Sequence, residues 1–254
     1  MTKVLGKVDN GMNVHGKRIG ARRGLRRLAQ AAAAATLALA FATTPALAAD
    51  EAPAGKWQVK VLGTAVLPDG KITRVDKDLI GLPAGSQTKA SDNSFVPTLA
   101  VEYFVLPNLS VETICCFTAH HVSGAGALAG TAIVDHALIL PATLTAKYHL
   151  TLPGGVQPYV GAGGAWFFYI DERPGATTRA LGATRVKLDN DAGVVVQGGI
   201  DVPITKTGLG LTLDAKKYWI DTTAHFFTAS GAEALTTRHR ISPWVLSAGV
   251  AYRF

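Results

Sequence analysis

The chain has 254 residues, 48% of them hydrophobic, with 27 glycines, two cysteines and a formal charge of +7. Residues 1–49 hold eight Lys and Arg against Asp9 alone, and the other 205 residues carry equal numbers of basic and acidic side chains. The whole excess therefore lies at the amino end, and a neutral body offers no electrostatic footprint for nucleic acid.

The first segment reads as a secretory leader. A basic stretch ends at Arg27, an apolar run covers 31–42, and Thr43-Thr44-Pro45 breaks any helix. Ala46-Leu47-Ala48 supplies the small residues that a signal peptidase accepts, which places cleavage near Ala48/Ala49. The residues around Arg22-Arg23 do not make a twin-arginine pattern, so the leader is of the Sec type. Its long basic region leaves Met1 and Met12 both open as the start. The organisation is a signal peptide at 1–48 and one β-barrel domain at 49–254. No run of 18 apolar residues follows, so no transmembrane helix is expected.

From Lys56 onward the period is two. Alternating runs occur at 57–66, 95–106, 109–120, 139–150, 156–170, 193–204, 209–220 and 244–254. Each is long enough for the roughly 9–11 residues of a tilted membrane strand. Three connections are short, at Pro107-Asn108, 153–155 and 205–208; four are longer, at 67–94, 121–136, 171–192 and 221–237. Short turns on one side and long loops on the other are the plan of a bacterial outer-membrane barrel. The fold class is all-β, an eight-stranded antiparallel up-and-down transmembrane β-barrel. The turns fix register too: 153–155 sets Tyr148 against Val160 and Lys147 against Gly161, and 205–208 sets Gln197 against Lys216 and Gly199 against Asp214.

One face carries Trp57, Tyr103, Tyr148, Trp166, Phe168, Trp219, Trp244, Tyr252 and Phe254, the aromatic girdles of a lipid-facing wall. A soluble barrel would show charges at the alternate positions. Here those positions are mostly Gly, Thr, Ser and Ala, which excludes a water-facing exterior. The adjacent Cys115 and Cys116 point to opposite faces and cannot readily bond to each other, so both read as small apolar fillers.

The polar face then lines the lumen. Its charges are Lys60, Glu102, Glu112, Lys147, Asp201, Asp214, Lys216 and Arg253, with His149 and Gln197 nearby. The signs balance and most lie toward the short turns, so they read as a plug of paired charges rather than a selective ring. Toward the long loops the interior turns apolar: Ile114, Cys116, Ala165, Phe167, Val195 and Val245. Two readings stand side by side, a packed lumen and a greasy funnel open above and closed below. Pro97, Pro141 and Pro243 lie near the outer ends of descending strands, where each removes a ladder hydrogen bond. They are expected weak points through which a hydrophobic solute leaves sideways into the bilayer.

Other constellations read as structural. His120, His121, His136 and His225 sit near the outer loops, but adjacent histidines alone fix no ligand geometry, and no metal or cofactor is assigned. Ser110 and Ser247 face inward with no His–acid pair nearby in this register, so no catalytic residue is assigned and the chain does not read as an enzyme. Gly161-Ala162-Gly163-Gly164 precede no helix, which excludes a phosphate loop; they ease strand curvature.

Several segments in order carry a family resemblance: Val96-Pro97-Thr98-Leu99 with Tyr103-Phe104, Leu140-Pro141-Ala142-Thr143-Leu144 through Lys147-Tyr148-His149, Gln157-Pro158-Tyr159-Val160-Gly161-Ala162-Gly163, Gln197-Gly198-Gly199-Ile200-Asp201, and Ser242-Pro243-Trp244-Val245 to Tyr252-Arg253-Phe254. With these, the mature chain resembles OmpW-type outer-membrane proteins, the group that includes the alkane-uptake porins of hydrocarbon-degrading bacteria. The resemblance implies an eight-stranded barrel, a hydrophobic lumen and passive passage of small hydrophobic molecules, with outer-membrane lipid as surroundings. It also implies that some members act as phage or colicin receptors, the competing reading of a sealed structural or receptor barrel. Val250, Tyr252 and Phe254 look like the signal read by the outer-membrane assembly machinery. Ala192 stands where some relatives place an aromatic that helps close the lumen, Ser242 stands where an acid is usual, and Lys217 should face outward and snorkel to the headgroups.

Overall fold

A computed structural model describes residues 55–90 and 94–254; the leader at 1–48 lies outside the described residues. Thirteen strands run in chain order: β1 Trp57–Leu67, β2 Gly70–Asp78, β3 Ser86–Ala90, β4 Ser94–Leu106, β5 Leu109–Cys115, β6 Thr118–Gly126, β7 Ala132–His149, β8 Gln157–Pro174, β9 Ala183–Leu188, β10 Asp191–Pro203, β11 Leu209–Thr228, β12 Glu233–Ile241 and β13 Trp244–Arg253. One short helix, α1 Ala176–Ala180, joins β8 to β9.

Eight antiparallel pairings close a ring. Going round, β1 pairs β4, β4 pairs β5, β5 pairs β7, β7 pairs β8, β8 pairs β10, β10 pairs β11, β11 pairs β13, and β13 returns to β1. The seam is held at its end by Trp57 N–H donating to the Phe254 carbonyl at 3.0 Å and Phe254 N–H to the Trp57 carbonyl at 2.8 Å. A closed ring leaves no edge strand in the hydrocarbon, where an unpaired backbone group costs several kcal/mol or about that. The register matches the turn geometry: Lys147↔Gly161 and Tyr148↔Val160, Gln197↔Lys216 and Gly199↔Asp214. The first of these turns is a single 3-10 turn, Pro153–Gly155, in which Gly154 and Gly155 take φ of 81° and 75°, a conformation that favours glycine.

The wall is inverted relative to a water-soluble protein. Val160 is 66% exposed, Val61 57% and Leu144 53%, while Lys147 and Glu102 have no exposed surface at all. Outward apolar side chains meet lipid, and inward polar ones meet one another. Along β13, Trp244 and Tyr252 mark the two girdles about 26 Å apart at roughly 3.3 Å per residue.

The long connections are not irregular loops. β7, β8 and β11 run past the lipid boundary, and the connections carry β2, β3, β9 and β12. β11 pairs β12 and β9 beyond Ile220, β12 pairs β2, and β6 pairs β3 and β7. This cap has an apolar core of its own: Val134, Ala137, Ala183, Val186, Ala224, Phe226 and Leu235. Strict alternation fades there because neither face of a cap strand meets lipid, which hides these strands from a period-two reading.

Candidate functional site

The lower lumen is filled by one ion network. Lys147 Nζ lies 2.8 Å from Glu102 Oε2 and 2.9 Å from Glu112 Oε2. Lys60 Nζ reaches the same two carboxylates at 2.9 and 3.2 Å, and Asp201 at 3.3 Å. Lys216 bridges Glu112 at 3.1 Å and Asp214 at 2.5 Å. Every one of these side chains enters from an inward position of a different strand or from two inward positions of β11. Removing such charges from water is expensive, and only multiple partners offset it. The sequence-derived plug is thus brought together, with Arg253 at its edge: that guanidinium stacks 3.4 Å above the Phe104 ring and donates to the Gly55 carbonyl at 2.7 Å and to Gln157 at 3.3 Å.

Two members escaped the sequence reading. Tyr159 lies under Lys147 Nζ at 3.8 Å from its ring centroid and donates its hydroxyl to Asp214 at 2.8 Å. Gln58 donates to Asp201 at 3.1 Å. Both occupy inward positions of their strands, two residues from Gly161 and Lys60, and that alternation was the available signal. Ser110 needs a correction as well: it does meet a His–acid pair. Its hydroxyl lies 2.9 Å from His149 Nε2 and also bonds Glu102 Oε1, which itself sits 2.9 Å from the same Nε2. Both partners crowd one ring nitrogen while Nδ1 has no partner, so the acid cannot orient the imidazole toward the hydroxyl as a triad requires. The cluster belongs to the plug.

Above the plug lies an apolar cavity of about 140 Å³. Leu62, Thr64, Lys216 and Ser247 form its floor; Ile114, Cys116, Phe167 and Val245 line its walls. Of the expected lumen residues, Ala165 and Val195 are fully buried behind the wall, packed with Phe167, Tyr169, Tyr218 and Ile220. The cavity is bounded all round, by Leu62 and Thr64 of β1, Ile139 of β7, Phe167 of β8, Tyr218 of β11 and Val245 of β13, while Ala165 and Val195 pack behind Phe167 and Tyr218. Tyr218, two inward steps from Asp214, and Tyr169 are large wall residues that the sequence reading left out. Higher up, a second cavity of about 60 Å³ sits inside the cap. Thr88, Ile133, Phe226 and His239 line both. His239 is held between Thr88 at 3.3 Å and Thr237 at 2.8 Å, and burial pushes its pKa down to about 4.

The ladder breaks beside the large cavity. β5 and β6 share one register on β7, with Ile114↔Thr143 below and Thr118↔Ile139 above, and the interruption at Cys116–Phe117 faces Pro141. On the other flank, among the described residues, β4 pairs β5 from Leu99↔Cys115 downward and β3 pairs β6 from Ala90↔Val122 upward. Among the described residues, Val96–Thr98 of β4 and Cys116–Thr118 face each other with no ladder between them. Pro97 is on one lip and Pro141 is behind the other. Phe95 (76% exposed) and Phe117 (55%) stand outside the gap. Pro243 is different: Ser242 N–H donates to Asp69 at 2.7 Å and Tyr218 N–H to the Pro243 carbonyl at 3.2 Å, so the wall is closed there. Its missing donor is harmless because the neighbouring residues carry the ladder on both sides.

The histidines scatter. His120 faces the cavity and His121 bonds the Asp135 carbonyl on the outside, its ring 6.4 Å from that of His136. His225 pairs with Glu233 and Asp189 in the cap. Among the described residues no three metal-binding side chains converge. Cys115 faces outward and Cys116 inward, both free.

The sequence pattern of the OmpW family matches residues 53–254. The chain belongs to the OmpW family. An uncharacterized outer-membrane protein of Sinorhizobium fredii is 32% identical over 201 residues, spanning 78% of this chain and 80% of its own. Outer membrane protein W of Vibrio cholerae is 26% identical over 220 residues, spanning 85% and 94%. Among solved structures, the outer membrane protein OprG from Pseudomonas aeruginosa superposes with a TM-score of 0.69 at 24% identity, over 81% of this chain and 98% of its own. AlkL, determined in lipid bilayers, gives 0.60 at 21% identity over 84% and 95%. These likenesses establish the barrel fold, and the family places the chain in the bacterial outer membrane.

Against the OmpW pattern, the departures fall in informative places. Ala192 lies opposite the outward Trp166 and is itself exposed, so it plays no part in closing the lumen. Lys217 does not reach freely for headgroups. Its ammonium bonds the Ser242 carbonyl and sits 5.3 Å over the Trp244 ring, which holds the charge at the upper girdle.

Proposed function

We propose that this OmpW-family barrel gives small hydrophobic molecules a passive route into the outer membrane. They enter through the cap from outside, occupy the apolar cavity above the ion plug, and leave sideways between β4 and β6. One observation carries the reading: a cavity closed below by buried charges has the wall's ladder break at its own level. The leader at 1–48 fits export before insertion, and the outward stripe of Val250, Tyr252 and Phe254 fits capture by the assembly machinery.

The packing of Ala165, Val195 and Tyr218 favours a second reading, a sealed barrel whose cap serves as a docking surface for phage or colicin. Uptake separates the two. Cys115→Ser and Cys116→Ser provide a background for Pro97→Cys with Phe117→Cys, one on each lip. A short cleavable bis-thiosulfonate across that pair is expected to stop entry of a hydrophobic solute, and reductant is expected to restore it. Unchanged entry with the bridge in place defeats the lateral exit; no protein-dependent entry at all supports the sealed barrel.

A further inference from the structure

The cavity is not uniformly apolar: of its lining residues, Thr98, His120 and Tyr169 each carry a buried polar atom with no hydrogen-bond partner. Thr98, on the β4 lip, is 4% exposed, and its hydroxyl has no hydrogen-bond partner; the neighbouring Cys116 thiol is at best a weak one. His120, on the β6 lip, is 7% exposed, and its Nδ1 has none. Both line the cavity. A buried polar atom left unpaired costs about 1–3 kcal/mol, so each such atom in a folded wall calls for a reason. The Tyr169 hydroxyl, on the β8 wall of the same cavity, also has no partner; Thr98 and His120 are the two that border the interval between β4 and β6.

Resting on the reading of the cavity as a solute path, we propose that its solute is a small uncharged molecule, apolar over most of its surface and bearing one hydroxyl or carbonyl group, which His120 and Thr98 receive in turn. Size follows from volume: a cavity of about 140 Å³ compares with the engineered apolar cavity of about 150 Å³ that takes benzene. The solute is uncharged because the one ion at the floor, Lys216, is already committed to Glu112 and Asp214. The stations are two rather than one. Thr98 stands across from Cys116, and His120 lies four residues further up, about 13 Å at roughly 3.3 Å per residue, beyond the reach of a single head group. A threonine hydroxyl donates and accepts, and a neutral imidazole nitrogen does either according to tautomer, so hydroxyl and carbonyl heads are both served.

Toluene and phenol test this, because they differ by a methyl against a hydroxyl at equal size. Binding to the purified full-length barrel is followed by saturation-transfer NMR at pH 7 and corrected for partition into empty micelles. Phenol is expected to bind about fivefold more tightly than toluene, the equivalent of one hydrogen bond at about 1 kcal/mol. Thr98→Val with His120→Leu is expected to bring the ratio to about one without weakening toluene, and each single variant to lower it in part. His120→Gln, which keeps a polar head, is expected to restore the preference over His120→Leu. A ratio near one in the unaltered protein, or one that the substitutions leave unchanged, overturns the proposal. If both probes bind equally and the bridged lips still block uptake, this inference alone fails. If neither probe binds, it fails together with the solute-path reading.

Discussion

Lys147 and Glu102 meet at 2.8 Å with no exposed surface on either side chain, inside a wall whose outer face is Val, Leu and Trp. The pair sits at the centre of the plug, since Glu102 also holds Lys60 and His149, and Lys147 also holds Glu112. Lys147→Met should therefore take one cation from each of two buried carboxylates, leaving Lys60 to serve both and Lys216 on Glu112. A loss of about 3–5 kcal/mol is expected in urea unfolding from lipid vesicles. A double-mutant cycle with Glu102→Gln should show strong coupling, and additive losses would mean that the two charges act independently.

Gly199 makes the plug's geometry possible. A Cβ there would stand 2.3 Å from the Leu213 carbonyl oxygen and 2.4 Å from the Tyr159 hydroxyl. The carbonyl belongs to the ladder and cannot retreat, and the tyrosine is fixed by Asp214. Gly199→Val is expected to cost about 1–3 kcal/mol as an overpacked site and to displace Tyr159 from beneath Lys147. The unfolding midpoint and the tyrosine near-ultraviolet signal report the two effects separately.

His239 sets the acid limit of the cap. Burial lowers its pKa to about 4, against about 6.5 in an unfolded chain, so between those values the neutral form is favoured only when folded. Stability from this group is complete above pH 6.5 and falls as the pH approaches 4, by on the order of 3 kcal/mol in all. Amide exchange in β2 and β12 is expected to quicken over that window. His239→Phe should flatten the dependence; a profile that keeps its slope would assign the acid sensitivity to another group.

His225 works in the opposite direction. Partial burial disfavours its charge, but hydrogen bonds to Glu233 at 2.5 Å and Asp189 at 3.1 Å outweigh that and raise its pKa. Its contribution is complete below the unfolded pKa and is lost as the pH rises through the folded one. As a partly exposed pair it is worth at most about 1 kcal/mol. Exchange of β11 beyond Ile220 should therefore quicken slightly on the alkaline side, and His225→Gln should remove that rise.

Which parts were legible from residues alone follows from what surrounds each strand. Lipid outside and a polar lumen inside impose a two-residue alternation, so the inward set Lys60, Glu102, Glu112, Lys147 and Lys216 could be read directly, and short turns gave Lys147↔Gly161 and Gln197↔Lys216. Cap strands such as β9 and β12 were not legible, because their apolar residues face a small core instead of lipid and show no strict period. Ser110, His149 and Glu102 were each placed inward, yet their convergence depends on the tilt of three strands about a common axis.

Local sequence thus determined the barrel, its inside and outside, and the register across each short turn, since these rest on neighbours a few residues apart under a fixed solvent boundary. The tertiary structure alone decided where the barrel ladder is continuous. Pro97, Pro141 and Pro243 look alike in the sequence. At Pro243 the long-range pairing of Ser242 with Asp69 stitches the wall shut, while among the described residues Val96–Thr98 of β4 and Cys116–Thr118 carry no ladder between them. A backbone hydrogen bond across a barrel is a property of two distant segments at once, and no single stretch of chain contains it.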